Sequence, residues 1–205
     1  MALIKKTYTA KIDAIWRGEC KIYPAGFKLN DTLPVGSVVY RGTPVYVEFN
    51  ANRKAYICKS AEVLDGADAD ALKVRKGHFF AVGDKVTTVG DSTASATPKT
   101  ILAIDKSNAE YDVITLNNDI TGLSSNKGTI VEAGGTTNAY LGKSKYEPNA
   151  VVGANLEVSE LCDPVVDAAF NAVVLTPSLD FPIPSIWVEG GASMKGNHEI
   201  KFITQ

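Results

Sequence analysis

Apolar and polar positions alternate in short runs along the middle of the chain, and turn residues cut the runs apart. Val45, Val47 and Phe49 share one face of an extended segment, opposite Tyr46 and Glu48. Asn50 to Arg53 forms a turn, after which Ala55 and Ile57 share a face opposite Tyr56 and Cys58. Two such runs joined by a short Asn-containing turn predict a hairpin. Residues 100–104 and 111–116 repeat the pattern around the polar stretch Asp105 to Glu110, predicting a second hairpin with a longer loop. Gly83-Asp84 launches a strand at 85–88, and residues 129–132 and 200–204 read as further strands. Strands spaced in this way, with glycine turns between them, predict an all-β, mainly antiparallel fold built on a small β-barrel or tulip-like domain.

Both ends are patterned less sharply. Residues 1–33 read as an N-terminal arm or strand: Tyr8, Ala10, Ile12 and Ala14 alternate with Thr9, Lys11, Asp13 and Ile15, but Cys20 to Leu33 follows no clear period. Residues 34–142 are expected to form the central barrel-like domain, with a small, polar loop at 89–98. Residues 143–205 make a proline-rich C-terminal segment. Prolines at 177, 182 and 184 require a largely extended chain from Leu175 to Trp187. Asp163 to Phe170 reads either as one helical turn, with Pro164 at its start, or as a loop. There are no heptads and no collagen repeat, so the pattern favours a compact knob over a fibre shaft.

Composition narrows the function classes. The chain has 205 residues, 45% of them apolar, enough for a real core. Its formal net charge of −2 gives no electrostatic reason to expect a nucleic-acid partner. No apolar run approaches the roughly 18–20 residues that cross a bilayer, and the opening MALIKKTYTAKIDAIW does not read as a secretion signal. No membrane partner is expected. Cys20, Cys58 and Cys162 are odd in number and far apart, which predicts reduced, buried thiols and not a disulfide or zinc framework.

Candidate chemistry is sparse. Gly142-Lys143-Ser144 resembles the end of a phosphate-binding loop, but position 137 is a threonine where that motif needs glycine, and no helix start follows. The only histidines, His78 and His198, lie in no metal-spaced or triad-like pattern, and His78 reads as a half-buried strand-edge residue. Asp65, Asp68 and Asp70 lack calcium-loop spacing and read as a solvated loop. No catalytic, cofactor or metal residue is therefore assigned, and the chain reads as a non-enzyme. Large rings outside the clear strands are better candidates for partner contact, since they bury much area at low entropic cost. These are Trp16, Tyr23, Phe27, Tyr140, Phe181 and Trp187. The ends carry more apolar residues than loose tails should expose, Ile15, Ile22, Ile183 and Ile186 among them.

Several phrases point further. PVGSVVYRGTPVYV, AYICKSAEVLDG, KVRKGHFFAVGDKVTTVG, TILAIDKSNAEYDVITL and the closing GNHEIKFITQ resemble head-fibre or head-decoration proteins of tailed bacteriophages, and most closely those of phages and prophages of gut Bacteroides-type bacteria. The resemblance covers most of residues 34–132 and, more loosely, the last fifteen residues. It implies a structural protein on the outer surface of the virion capsid, made in the bacterial cytoplasm. Such a protein acts by binding the major capsid protein. The apolar surplus of the ends adds self-association as a homo-oligomer, with a trimer expected. A carbohydrate-binding or adhesive β module is the rival reading, in which exposed rings stack on a host-surface glycan.

Overall fold

The structure is a computed structural model that describes residues 20–89, 97–123 and 128–204. The described residues form strands and short 3-10 turns, with no α-helix among them. The fold is all-β, as the alternation predicts. No helix of the described residues is long and apolar enough to cross a membrane.

A closed barrel occupies the middle of the chain. Its strands are β6 (Ser60–Val63), β7 (Ala71–Arg75), β8 (Lys85–Thr88), β9 (Lys99–Asp105), β10 (Tyr111–Leu116) and β11 (Gly128–Glu132). They pair antiparallel around the ring in the order β10-β7-β6-β11-β8-β9. Closure leaves the barrel without a free edge. The period-2 pattern sets its inside: Leu72, Val74, Ile101, Ile114, Leu116 and Ile130 point inward and are buried. In β10 the inward face begins with Asp112 and continues through Ile114 and Leu116, so one carboxylate sits at the end of an apolar row. The predicted pairing of 100–104 with 111–116 is the β9–β10 hairpin, with Ile104 opposite Ile114.

The rest of the chain builds a ten-stranded sheet. It contains β1 (Lys21–Ile22), β2 (Phe27–Leu29), β4 (Pro44–Val47), β5 (Lys54–Ile57), β12 (Ala150–Val152), β14 (Val165–Val166), β15 (Ala168–Leu175), β16 (Val188–Glu189), β17 (Ser193–Met194) and β18 (Asn197–Ile203). The main path runs β14-β2-β5-β4-β12-β15-β18-β17-β16, and β1 pairs with β15. A separate two-stranded ribbon joins β3 (Val38–Val39) to β13 (Leu156–Glu157). The first predicted hairpin is β4–β5, with Val45 opposite Ile57. Its turn is held by an N–H of Asn52 donated to Asn50 Oδ1. Arg53 adopts a left-handed φ of 44° there. Its guanidinium donates to the carbonyls of Pro24, Ala25 and Gly26 and lies 4.3 Å above the Phe27 ring, tying the start of β2 to the hairpin.

Sheet membership divides the chain at other places than the sequence pattern does. The barrel spans 60–132 and is inserted into the sheet between β5 and β12. Residues 38–57, expected in the central domain, pair instead with one another and with β2, β12 and β13. Residues 20–33 are not a loose arm, since β1 and β2 are built into the sheet. The C-terminal segment is regular as well. Asp163 to Phe170, read as a helical turn or a loop, holds β14 and the start of β15. The stretch Leu175 to Trp187 is interrupted by 3-10 turns at Thr176–Ser178 and Ser185–Trp187. Residues 1–19, including Trp16 and the Tyr8–Ile15 alternation, and most of the 89–98 loop lie outside the described residues.

Candidate functional site

Barrel and sheet meet in two places, one filled with charge and one open. At the filled junction, Lys59 follows β5 and leads into the barrel with its side chain only 8% exposed. Its Nζ lies 2.8 Å from Asp84 Oδ2, 3.6 Å from Glu132 Oε2 and 3.7 Å from Asp31 Oδ1. Lys145 adds a second cation, 2.7 Å from Glu132 Oε1. Asp31 comes from the loop after β2 and accepts the N–H of Ile57, whereas Asp84 accepts the N–H of Ala81 at the foot of the barrel. The cluster thus joins the loop after β2, the barrel and the segment that leads from the barrel to β12. Burial pushes the carboxyls of Asp31 and Glu132 above their ordinary values, against the pull of the two lysines. Tyr46, Tyr56 and Tyr146 stack beside it, with ring centroids 4.6 Å apart for the closest pair. Trp187, Cys58 and Val131 close the junction from the apolar side.

The open meeting place is a cleft of about 1170 Å³. One wall comes from the ribbon end: the turn Tyr40–Thr43 and the loop Gly153–Glu157. That turn is locked by Thr43 Oγ1 donating to the Tyr40 carbonyl, and by the Arg41 N–H donating to Asn155 Oδ1 at 2.9 Å. Residues 76–82 of the barrel form the other wall, with Ile104 and Lys106. The floor is apolar, where Phe79 meets Phe181 edge-on at 6.0 Å. Gly77 turns the chain there with φ of 92°, and a Cβ on it would come within 2.6 Å of Asp180 Cβ. Backbone conformation and space both call for glycine at that point.

His78 sits behind this wall with its side chain 1% exposed. Nδ1 accepts the Phe80 N–H at 3.2 Å, so the neutral ring carries its proton on Nε2. Nε2 lies 3.2 Å from Asp112 Oδ2, off the line of a good hydrogen bond. Asp112 Oδ1 is held in turn by Lys76 Nζ at 2.6 Å. Burial lowers the histidine to about 4, outweighing the raising effect of Asp112. One nitrogen is spent on a backbone amide and the other faces a carboxylate. The ring therefore has no nitrogen turned to a substrate proton, and it positions the Lys76–Phe80 turn. His198 lies at the surface, 3.1 Å from Glu189.

A third feature is an exposed apolar end. Val35 and Leu161, 59% and 95% exposed, flank a shallow depression beside the ribbon, with Glu157 and Glu160 around it. The backbone beneath is tied by Gly36 N–H to Val158 O and by Val158 N–H to Ser37 O, both 2.9 Å. Leu161 lies three residues beyond this pair, its N–H donated to Ser159 Oγ at 3.1 Å.

The structure separates the predicted contact residues. Phe27 and Trp187 are core residues, 0% and 1% exposed, and are unavailable to a partner in this conformation. Phe181 is 9% exposed and belongs to the cleft floor. Tyr23 is half-buried among Phe27, Phe49 and Phe170. Tyr140 is exposed and lies over Gly134 and Gly135, where a Cβ would strike its ring. Trp16 falls outside the described residues. The apolar surplus of the ends is largely absorbed: Ile183 and Ile186 pack against sheet and junction. Of the thiols, Cys58 is buried and Cys20 half-buried, but Cys162 is exposed, contrary to expectation. Gly142-Lys143-Ser144 is a turn whose Gly142 N–H donates to Thr87 Oγ1. No metal-holding cluster occurs among the described residues, and Asp65, Asp68 and Asp70 form none. The sequence reading missed Tyr40, Val35, Val82 and Leu161. Nothing in the local pattern around these four sets them apart from core residues. Compared with known protein families, curated proteins and solved structures, the chain matches none.

Proposed function

We propose that the protein is a structural component of a tailed-phage head, attached to the outer surface of the capsid as a decoration or head-fibre protein. It works by binding and not by chemistry. The observation that supports a binding role is the apolar end, where Val35 and Leu161 are exposed beside one shallow depression. Apolar side chains exposed next to one another suit a partner contact when they form a continuous patch. Glu157 and Glu160 beside them suit a partner surface with an apolar pocket flanked by lysine or arginine. The capsid as that partner comes from the phrase resemblance over residues 34–132, whereas self-association, as a trimer, is expected from the apolar residues of the terminal segments.

The motive for self-association shifts with the fold. Phe27, Phe181 and Trp187 are engaged inside the chain, so a trimer would use other exposed residues, such as Phe49 at 60% and Leu102 at 57%. Light scattering of the purified protein at micromolar concentration tests this part. The expected mass is three times the 21.8 kDa of one chain. A monomer would remove self-association and leave assembly to the capsid surface.

A further inference from the structure

The cleft between barrel and sheet shares only Glu157 with the apolar end assigned to capsid attachment, and the rest of its lining has a chemistry of its own. Among the described residues the lining holds three cations, Arg41, Lys76 and Lys106, and three anions, Asp112, Glu157 and Asp180, with Lys76 and Asp112 paired to each other. Formal charge across the lining is thus balanced, and His78 adds none at neutral pH because its ring is held neutral. A balanced lining does not draw a phosphate or another strongly charged ligand. It does place donors and acceptors around an apolar floor, Phe79 against Phe181, and beside an exposed ring, Tyr40 at 47%. Asn155 spends its oxygen on the Arg41 N–H, and its amide NH₂ has no partner among the described residues. At about 1170 Å³ the space exceeds the roughly 300–1,000 Å³ typical of small-molecule pockets, so it suits a chain of units better than a single one.

Two kinds of neutral chain could fill such a space, and the topology separates them. An extended peptide gains its affinity by adding to an open strand edge. The barrel wall is closed on itself, and the ribbon wall offers strands of only two residues. A sugar chain needs no edge. Its hydroxyls use mixed donors and acceptors, and its C–H faces lie on aromatic rings. We propose that this cleft binds a neutral oligosaccharide, with Tyr40 as the stacking platform and Asn155 as a hydroxyl partner.

The test is titration of the full chain with maltotetraose, cellotetraose, xylotetraose and chitotetraose. A sulfated disaccharide and a seven-residue apolar peptide serve as comparisons. Calorimetry gives affinity, and amide NMR shifts report the place. Tyr40→Ala removes the platform, and Val82→Trp narrows the mouth at a position 63% exposed, so both variants should fold. At least one neutral tetrasaccharide should shift the amides of Tyr40, Asn155 and Phe79. Tyr40→Ala should weaken it at least about tenfold, the loss expected when one stacking ring is removed, and Val82→Trp should weaken it by obstructing the mouth, each with little change in Tm. Three results would overturn the proposal: no tetrasaccharide shifts those amides, binding survives both substitutions, or the peptide or the sulfated sugar binds more tightly. Capsid attachment of Tyr40→Ala should stay at the wild-type level, so the two roles fail separately.

Discussion

His78 shows how a single buried group makes stability depend on pH. The unfolded chain takes up a proton near the ordinary histidine value of 6.5, whereas the folded ring does so only at about 4. A group lowered in the folded state favours folding above its unfolded value. That contribution fades as pH falls from 6.5 toward 4. The shift corresponds to about 3 kcal/mol. His78→Gln, which cannot titrate, should therefore lose less stability than the wild type between pH 7 and 4.5 in urea unfolding, and parallel curves would contradict the assignment. His78→Ala should cost about 2–4 kcal/mol by leaving a cavity and an unpaired Phe80 N–H, more than a half-buried edge residue would. Lys59 makes the opposite case. Lys59→Met leaves Asp31, Asp84 and Glu132 facing one another, with Lys145 in contact with Glu132 and acting on the other two only at longer range. Breaking a buried pair from one side costs about 3–5 kcal/mol. Burial already raises Asp31 and Glu132, and without the lysine they bind protons more readily still. Folded-state carboxyls raised in this way favour folding at low pH, so the defect should shrink from pH 8 to pH 5. Neither role was legible in the sequence. Lys59 reads as one more strand-end lysine, and its three carboxylates lie 28, 25 and 73 residues away, brought together only by the fold.

Among the elements, the hairpins were the legible part, because their information is local. Val45 and Val47 against Ala55 and Ile57 alternate on two adjoining runs, and the turn between them carries its own asparagine signal. The partners of those hairpins were not legible. Short antiparallel strands look alike whether they close a barrel or extend a sheet, and Pro44 with Val45 pairs with Val151 and Ala150 more than a hundred residues on. Strands β14 and β15 were hidden for another reason. Asp163-Pro164 imitates a helix start, and pairing with β2 and β12 overrides it. The insertion of the barrel between β5 and β12 carries a consequence for fragments. Residues 58–134 hold a complete ring of strands and the core built on Leu72, Ile101, Ile114 and Ile130, so that piece should unfold cooperatively alone. A 34–142 fragment should show the same transition and, in addition, rapid amide exchange over residues 38–57, which lose β12 and β13 as partners. Equal protection of those residues in fragment and full chain would contradict the division.

At the scale of the molecule, the described residues form a closed barrel joined to a larger sheet through the buried Lys59 cluster, with an open cleft and an apolar end beside the ribbon. The proposed contact surfaces were the least legible feature. Their place outside the clear strands pointed to Phe27 and Trp187, yet the largest rings are the ones a core recruits first, and both are buried. Exposure singled out smaller residues, Val35 and Leu161, which composition does not distinguish from core aliphatics. If that end meets the capsid, Leu161→Asp should abolish attachment without loss of stability, because the side chain is 95% exposed and stabilises little in the free protein. The most direct measurement is sedimentation of the purified protein with empty heads assembled from the major capsid protein of the same genome. The wild type should pellet with the heads to saturation, while Leu161→Asp stays in the supernatant with an unchanged Tm. Wild-type protein that remains in the supernatant at micromolar concentration would contradict the capsid-binding account.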